Sequence, residues 1–172
     1  MIKKMLTHRN THKIALIFLA IGLLILLVQK QSEENVEKVT DPLSTVVQSY
    51  DGQSWPLSRF SGKAMLVIFW GSFCPPCIEE LPILSALARK YEQSVTFIGL
   101  AVESPAEEVA QMVRRFSLSY PIASVGFAEL QRWGSHMLPS LFLLDAKGKI
   151  IWSHRGPASE ELLENELTKV VS

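Results

Sequence analysis

Cysteine is nearly missing from this chain: of 172 residues only Cys74 and Cys77 carry a thiol. That scarcity excludes a disulfide-dense mini-protein and any four-cysteine zinc site. A Cys₂His₂ site would have to recruit His136 and His154, which lack the usual H-x₃₋₅-H spacing, while His8 and His12 fall beyond a long apolar segment. Net charge is missing too, with 17 Lys+Arg against 17 Asp+Glu, so nothing general points to a nucleic-acid partner. There is no internal repeat and no low-complexity tract. With 48% hydrophobic and 20% charged residues the composition is that of an ordinary globular domain rather than a disordered or collagen-like chain.

The zero net charge conceals an asymmetry. Lys3, Lys4, Arg9 and Lys13 stand in residues 1–13 without an acid, which leaves 13 basic and 17 acidic residues, or −4, for the rest. Residues 14–28 then run for 15 positions without a polar side chain. At about 1.5 Å per residue such a helix is short for a hydrocarbon core of roughly 30 Å, so length alone suits a signal peptide as well as an anchor. The following VQKQSEENVEK lacks a small-x-small cleavage pattern, and His12, Lys13, Gln29 and Lys30 can snorkel to the interfaces and extend the span. The reading is an uncleaved transmembrane anchor over 14–28. By the positive-inside rule, residues 1–13 form a cytoplasmic basic tail, 29–41 a polar linker, and 42–172 one folded domain on the periplasmic or extracytoplasmic side of the cytoplasmic membrane.

Within that domain, MLVIFW at 65–70 is too short and too apolar for anything but a buried central strand. A helix is predicted over 75–91, its apolar face marked by Ile78, Leu81, Leu84, Leu87 and Ala88, bent by Pro82, with Glu79 and Glu80 as first-turn acids facing the positive end of the macrodipole. VTFIGLAV at 95–102 is a second buried strand. Ser104-Pro105-Ala106-Glu107 reads as a capping box that opens a helix to about Phe116. A short strand at 122–125, a short helix at 128–133, a hairpin of 140–145 with 150–154, and a helix over 159–171 complete the chain. This order predicts an α/β domain with a mixed central sheet, helices on both faces and a right-handed βαβ half.

The two cysteines fall in WGSFCPPC, where the central strand gives way to the first of these helices. A thiolate at a helix N-terminus is stabilised by free N–H groups and the dipole, which makes Cys74 a nucleophile near neutral pH. Cys77, one turn on, points inward and can close a disulfide with Cys74, resolving a mixed disulfide formed with a substrate. A purely structural disulfide is a weak explanation, because closing a four-residue loop removes only about 2 kcal/mol of chain entropy. No cofactor is required, since electrons travel through the sulfurs.

WGSFCPPC after MLVIF resembles the thioredoxin-fold active site, and residues 42–172 resemble the membrane-anchored TlpA/ResA/CcmG (DsbE) class of thiol:disulfide oxidoreductases. The segment YDGQSWPLSRFSGKAMLVIFWGSFCPPCIEELPIL is similar to the family's N-terminal hairpin, first central strand and active-site helix. WGSHMLPSLFLLDAKGKI is similar to its segment carrying a cis-proline, which gives that role to Pro139 and implies that the backbone of Leu138 pairs with substrate. The resemblance also places Trp70 beside the redox site; Phe73, immediately before Cys74, and Pro75 and Pro76, between the cysteines, are read as further substrate contacts, with an aromatic that only covers the core as the competing reading of Phe73. It implies a reductant of disulfide-bearing client proteins, such as an apocytochrome c in cytochrome c maturation, with a membrane thiol-electron transporter as donor. A disulfide donor or isomerase, and a non-catalytic module holding a soft metal ion between two thiolates, remain as alternatives.

The chain departs from the family at three places. Ile68 stands where soluble thioredoxins carry a buried Asp, Pro75-Pro76 replaces Gly-Pro, and Met137 replaces a Gly two residues before the proline. The class has a glutamate close to the redox pair, and Glu103, ending the second strand in LAVESP, is the expected proton acceptor for Cys77; a solvated acid at the start of the next helix is the competing reading.

Overall fold

The computed structural model describes residues 13–25, 27, 39–50 and 52–171. They fall into two compact units, Met1–Glu37 and Lys38–Ser172. In the first, residues 13–25 and 27 are helical (α1), and apolar side chains such as Phe18 and Leu19 stand exposed. Among the described residues no helix is long and apolar enough to cross a membrane. The anchor expected over 14–28 reaches Leu26 and Val28, and these, like the basic tail up to His12 and the linker up to Lys38, lie outside the described residues.

The second unit is built on one seven-stranded sheet in the order β2-β1-β5-β4-β3-β6-β7. Its strands are β1 (Val46–Ser49), β2 (Ser54–Pro56), β3 (Ala64–Trp70), β4 (Val95–Val102), β5 (Ile122–Val125), β6 (Ser140–Leu144) and β7 (Ile150–Arg155). Helices α2 (Pro75–Lys90), α3 (Ala106–Phe116), α4 (Phe127–Arg132) and α5 (Glu160–Val171) connect and flank them, with 3₁₀ turns at Pro42–Ser44 and Leu57–Phe60. β3, β4 and β5 run parallel, whereas β6, β7 and the N-terminal hairpin β1–β2 pair antiparallel, so the sheet is mixed as expected.

β3 shows why the pattern forces two covered faces. All seven of its residues are buried, because it is central, and alternate side chains point to opposite sides. Leu66, Ile68 and Trp70 join the core packed under Leu81, Leu84 and Leu87 of α2, Val109 of α3 and Leu163 and Leu167 of α5. Met65, Val67 and Phe69 join the opposite core, closed by Leu130 of α4 with Trp133, Trp55 and Leu57. Phe69, Trp133 and Phe142 meet edge to face there, at centroid distances of 5.2–5.7 Å.

Two local predictions are corrected. The first turn of α2 holds no acid, because Pro75, Pro76 and Cys77 fill it; Glu79 and Glu80 come a turn later, and Glu80 is buried rather than offered to the dipole. The capping box before α3 does not form. Pro105 is the N-cap residue and makes no side-chain cap bond, while Ser104 Oγ donates to Val102 O and accepts from the N–H of Ser72.

Candidate functional site

The site sits where β3 ends and α2 begins. Gly71 turns the chain: the N–H of Cys74 donates to its carbonyl at 3.1 Å. A Cβ at Gly71 would stand 3.0 Å from the Phe73 ring and 3.3 Å from Leu138 Cδ1, so glycine lets these two side chains close over the loop without being pushed aside. The loop is also tied to α3, since Ser72 Oγ donates to Glu108 Oε2 at 2.5 Å beside the Ser72–Ser104 bond.

Cys74 is the N-cap residue of α2 and is joined to Cys77 by a disulfide, with Cα atoms 5.3 Å apart. The spacing that suggested the pair thus delivers it. Cys74 is 7% exposed and Cys77 1%, so the outer sulfur is the one a substrate can reach. Pro75 and Pro76 carry no N–H, and the N–H of Ile78 already donates to Cys74 O. Only the N–H of Cys77 is therefore left in the first turn to steady a Cys74 thiolate, a smaller stabilisation than an ordinary helix N-terminus supplies.

The peptide bond Leu138-Pro139 is cis, as the resemblance implied. Pro139 is buried at the head of β6, next to Ser140, whose strand partner is Phe69 of β3, so the cis-proline stands beside the end of the active-site strand. Two buried serines shape its approach. Ser140 Oγ donates to Met137 O at 2.8 Å and meets Ser135 Oγ at 2.7 Å, which holds Met137 and Leu138 in place. Phe73 and Met137 are exposed on either side, at 61% and 51%. Trp70, by contrast, is 1% exposed, so it backs the redox pair from inside the core.

Glu103 is not placed where its expected role needs it. It follows β4 with φ of 45°, is exposed, and accepts the N–H of Phe127 at the start of α4 through Oε1, 3.0 Å away. The carboxylate is a loop-to-helix tie and lacks the desolvated setting of a proton acceptor for a buried thiol. Ile68 lies buried on the cysteine face, so β3 supplies no carboxylate either.

The buried acid nearest in sequence to the pair is Glu80, expected from the sequence as a first-turn dipole acid. It lies one helical turn beyond Cys77 on the inner face of α2, 3% exposed. Its Oε1 accepts the N–H of Ala158 at 2.8 Å. Burial, only partly offset by that hydrogen bond, pushes its carboxyl from the usual 4.5 up to about 7. Periodicity carried the signal: Cys77, Leu81, Leu84 and Ala88 mark the buried stripe, and position 80 falls on it. A buried carboxyl that titrates near neutrality one turn from Cys77 offers that thiol a local acceptor for its proton.

A family model described as Redoxin matches residues 37–171. Among curated proteins, the thiol-disulfide oxidoreductase ResA of Bacillus thuringiensis subsp. konkukian is 33% identical over 140 residues, covering 80% of this chain and 81% of the relative. The ResA of Halalkalibacterium halodurans is 33% identical over 121 residues, 69% of each chain. Among solved structures, StoA from Bacillus subtilis matches with a TM-score of 0.60 at 26% identity, over 72% of this chain and 96% of that one. A secreted Mycobacterium tuberculosis disulfide oxidoreductase homologous to E. coli DsbE matches in fold with a TM-score of 0.67 at 20% identity, over 74% and 97%.

Proposed function

We propose, from the premise that the chain belongs to the Redoxin family and within it to the ResA/CcmG class of thioredoxin-like thiol:disulfide oxidoreductases, that it is a membrane-tethered reductant of disulfides in extracytoplasmic client proteins. The observation that carries the exchange chemistry is the closed Cys74–Cys77 pair, outer sulfur at the helix start and inner sulfur one helical turn before a buried acid. In the reduced enzyme the Cys74 thiolate attacks one sulfur of the client disulfide; a Cys74–client bond forms and the client's other sulfur leaves as a thiolate. Cys77 then yields its proton to the ionised Glu80, attacks Cys74 and expels the second client thiolate. Two electrons pass to the client, and the enzyme is left with its disulfide.

Phe73, Met137 and the half-buried Leu138 form the apolar rim that a client segment would meet, with Pro75 exposed beside it and the cis-proline beneath. The basic tail and the apolar run of residues 14–28, helical and exposed over 13–25, support a tether with the domain outside the cytoplasm. Re-reduction then needs electrons carried across the membrane, and a thiol-electron transporter is the fitting donor; an apocytochrome c is a fitting client. The test is the redox state of Cys74 and Cys77 in growing cells, fixed by acid quench and thiol alkylation, with carbonate extraction of the membranes alongside. A mostly reduced pair in the membrane pellet supports the proposal. A mostly oxidised pair turns it into a disulfide donor, and a soluble chain removes the tether.

A further inference from the structure

Among the described residues three buried side-chain polar atoms have no hydrogen-bond partner within the chain: Trp70 Nε1, Glu80 Oε2 and the Tyr120 hydroxyl. Their residues are 1%, 3% and 8% exposed, and Trp70 and Tyr120 belong to the core that holds both cysteines and Ala158. They converge from three elements. Trp70 ends β3, Glu80 lies on α2 with its other oxygen fixed on Ala158, and Tyr120 lies in the loop before β5. Gly99 of β4 shows how close they come: a Cβ there would stand 3.2 Å from both Trp70 Nε1 and the Tyr120 ring. Two donors and one carboxylate oxygen make a complementary set. One water can accept from the indole and the phenol and donate to the carboxylate, the three bonds typical of a buried water.

We propose that Tyr120 is a positioning residue for Glu80: with Trp70 it holds one internal water against Glu80 Oε2 and so steadies the ionised carboxylate. The proposal rests on the reading of Glu80 as acceptor of the Cys77 proton. Burial first, and then the charge of Glu80, push the Tyr120 phenol up, so its hydroxyl keeps its proton and serves as a donor at any working pH. Around the carboxylate stand the Ala158 N–H, which bonds Oε1, and the Tyr120 phenol, which feels its charge, with Cys77 one turn earlier on α2 and Trp70 beside Tyr120; His154 turns Nε2 to the carbonyl of Pro157, and among the described residues no Lys or Arg acts on Glu80. Tyr120 and Trp70 thus both hold a proton throughout, and of the two Tyr120 is the one whose phenol feels the charge of Glu80.

The experiment follows resolution of a Cys74 mixed disulfide against pH in the full-length chain, for wild type, Tyr120→Phe and Glu80→Gln, with thermal melting as a check on folding. In wild type, resolution should rise with pH through about 7 as Glu80 ionises. Tyr120→Phe keeps the ring and should move that limb upward by about one pH unit, so that resolution is slowed near neutrality and restored at higher pH. An unmoved limb overturns the proposal. A limb that persists in Glu80→Gln overturns instead the reading of Glu80 as acceptor. A second measurement needs no variant: in the wild-type protein the Trp70 indole N–H should give an NMR cross-peak to a long-lived internal water, and its absence contradicts the bridged arrangement.

Discussion

Replacing Glu80 by Gln should make the folded domain more stable at alkaline pH and leave it little changed in acid. The carboxyl is raised from 4.5 to about 7 by burial, with Ala158 N–H as its one hydrogen-bond donor among the described residues. Between those values the folded chain keeps a proton that the unfolded chain has released. Stability is therefore highest below the unfolded value, falls as pH rises through about 7, and stays reduced above it. A displacement of roughly 2.5 units at 1.36 kcal/mol each makes the full loss about 3 kcal/mol. Glutamine keeps an oxygen for Ala158 and carries no charge, so it removes the pH-dependent cost while filling the same volume. The assay is guanidinium unfolding of both proteins from about pH 4 to 9, without reductant so that the disulfide stays closed. The account expects the two stabilities to converge in acid and to separate by about 3 kcal/mol above neutrality, glutamine the more stable. A difference that stays flat across this range would refute the raised carboxyl and, with it, the reason for assigning Glu80 the Cys77 proton.

Other outcomes follow from the packing around the site. Gly99→Ala sets a Cβ 2.5 Å from Ile122 Cδ1 and 3.2 Å from Trp70 Nε1, and should cost about 1–3 kcal/mol in chemical denaturation; a loss below about 0.5 would mean that β4 has room there. Ser140→Ala removes the bond to Met137 O and the partner of Ser135, and should cost about 1–2 kcal/mol and raise KM for protein disulfides, whereas an unchanged KM would show that Met137 and Leu138 are held by other means. Glu103→Gln should give a pH profile superimposable on wild type with a stability change under about 0.5 kcal/mol, because an amide oxygen can still accept from Phe127; a shifted profile would restore Glu103 to the chemistry.

Apolar runs made the sheet legible in the sequence. Strands β3 and β4 are buried on both faces, so their composition alone marks them, and the strand-to-helix junction between them locates the cysteines. The cis-proline was legible only through the resemblance, since nothing local in MLPS demands it. Polar residues near the site were read less well, because their partners come from distant parts of the chain. Ser104 carries a helix-start signal, yet its oxygen serves Ser72, 32 residues away, on the active-site loop. Glu80 looks like a dipole acid until the two prolines are seen to fill the first turn, and its acceptor role depends on Ala158, 78 residues on. The sequence offers Glu103 for the acceptor role and reads Glu80 only as a dipole acid; burial, which helical spacing encodes for Glu80 and a loop does not encode for Glu103, reverses the two.

The claim on which the account turns is that Cys74 attacks and Cys77 resolves. It is tested most directly by mixing each single cysteine variant, Cys74→Ser and Cys77→Ser, with a disulfide-bearing protein, quenching with acid and mapping the covalent adduct by mass spectrometry. The account predicts a stable adduct on Cys74 in the Cys77→Ser protein, because the attacking sulfur is the accessible one and nothing remains to release the client. It predicts no adduct on Cys77 in the Cys74→Ser protein, where the remaining sulfur is 1% exposed. Adducts of equal yield on both sulfurs, or on Cys77 alone, would contradict it.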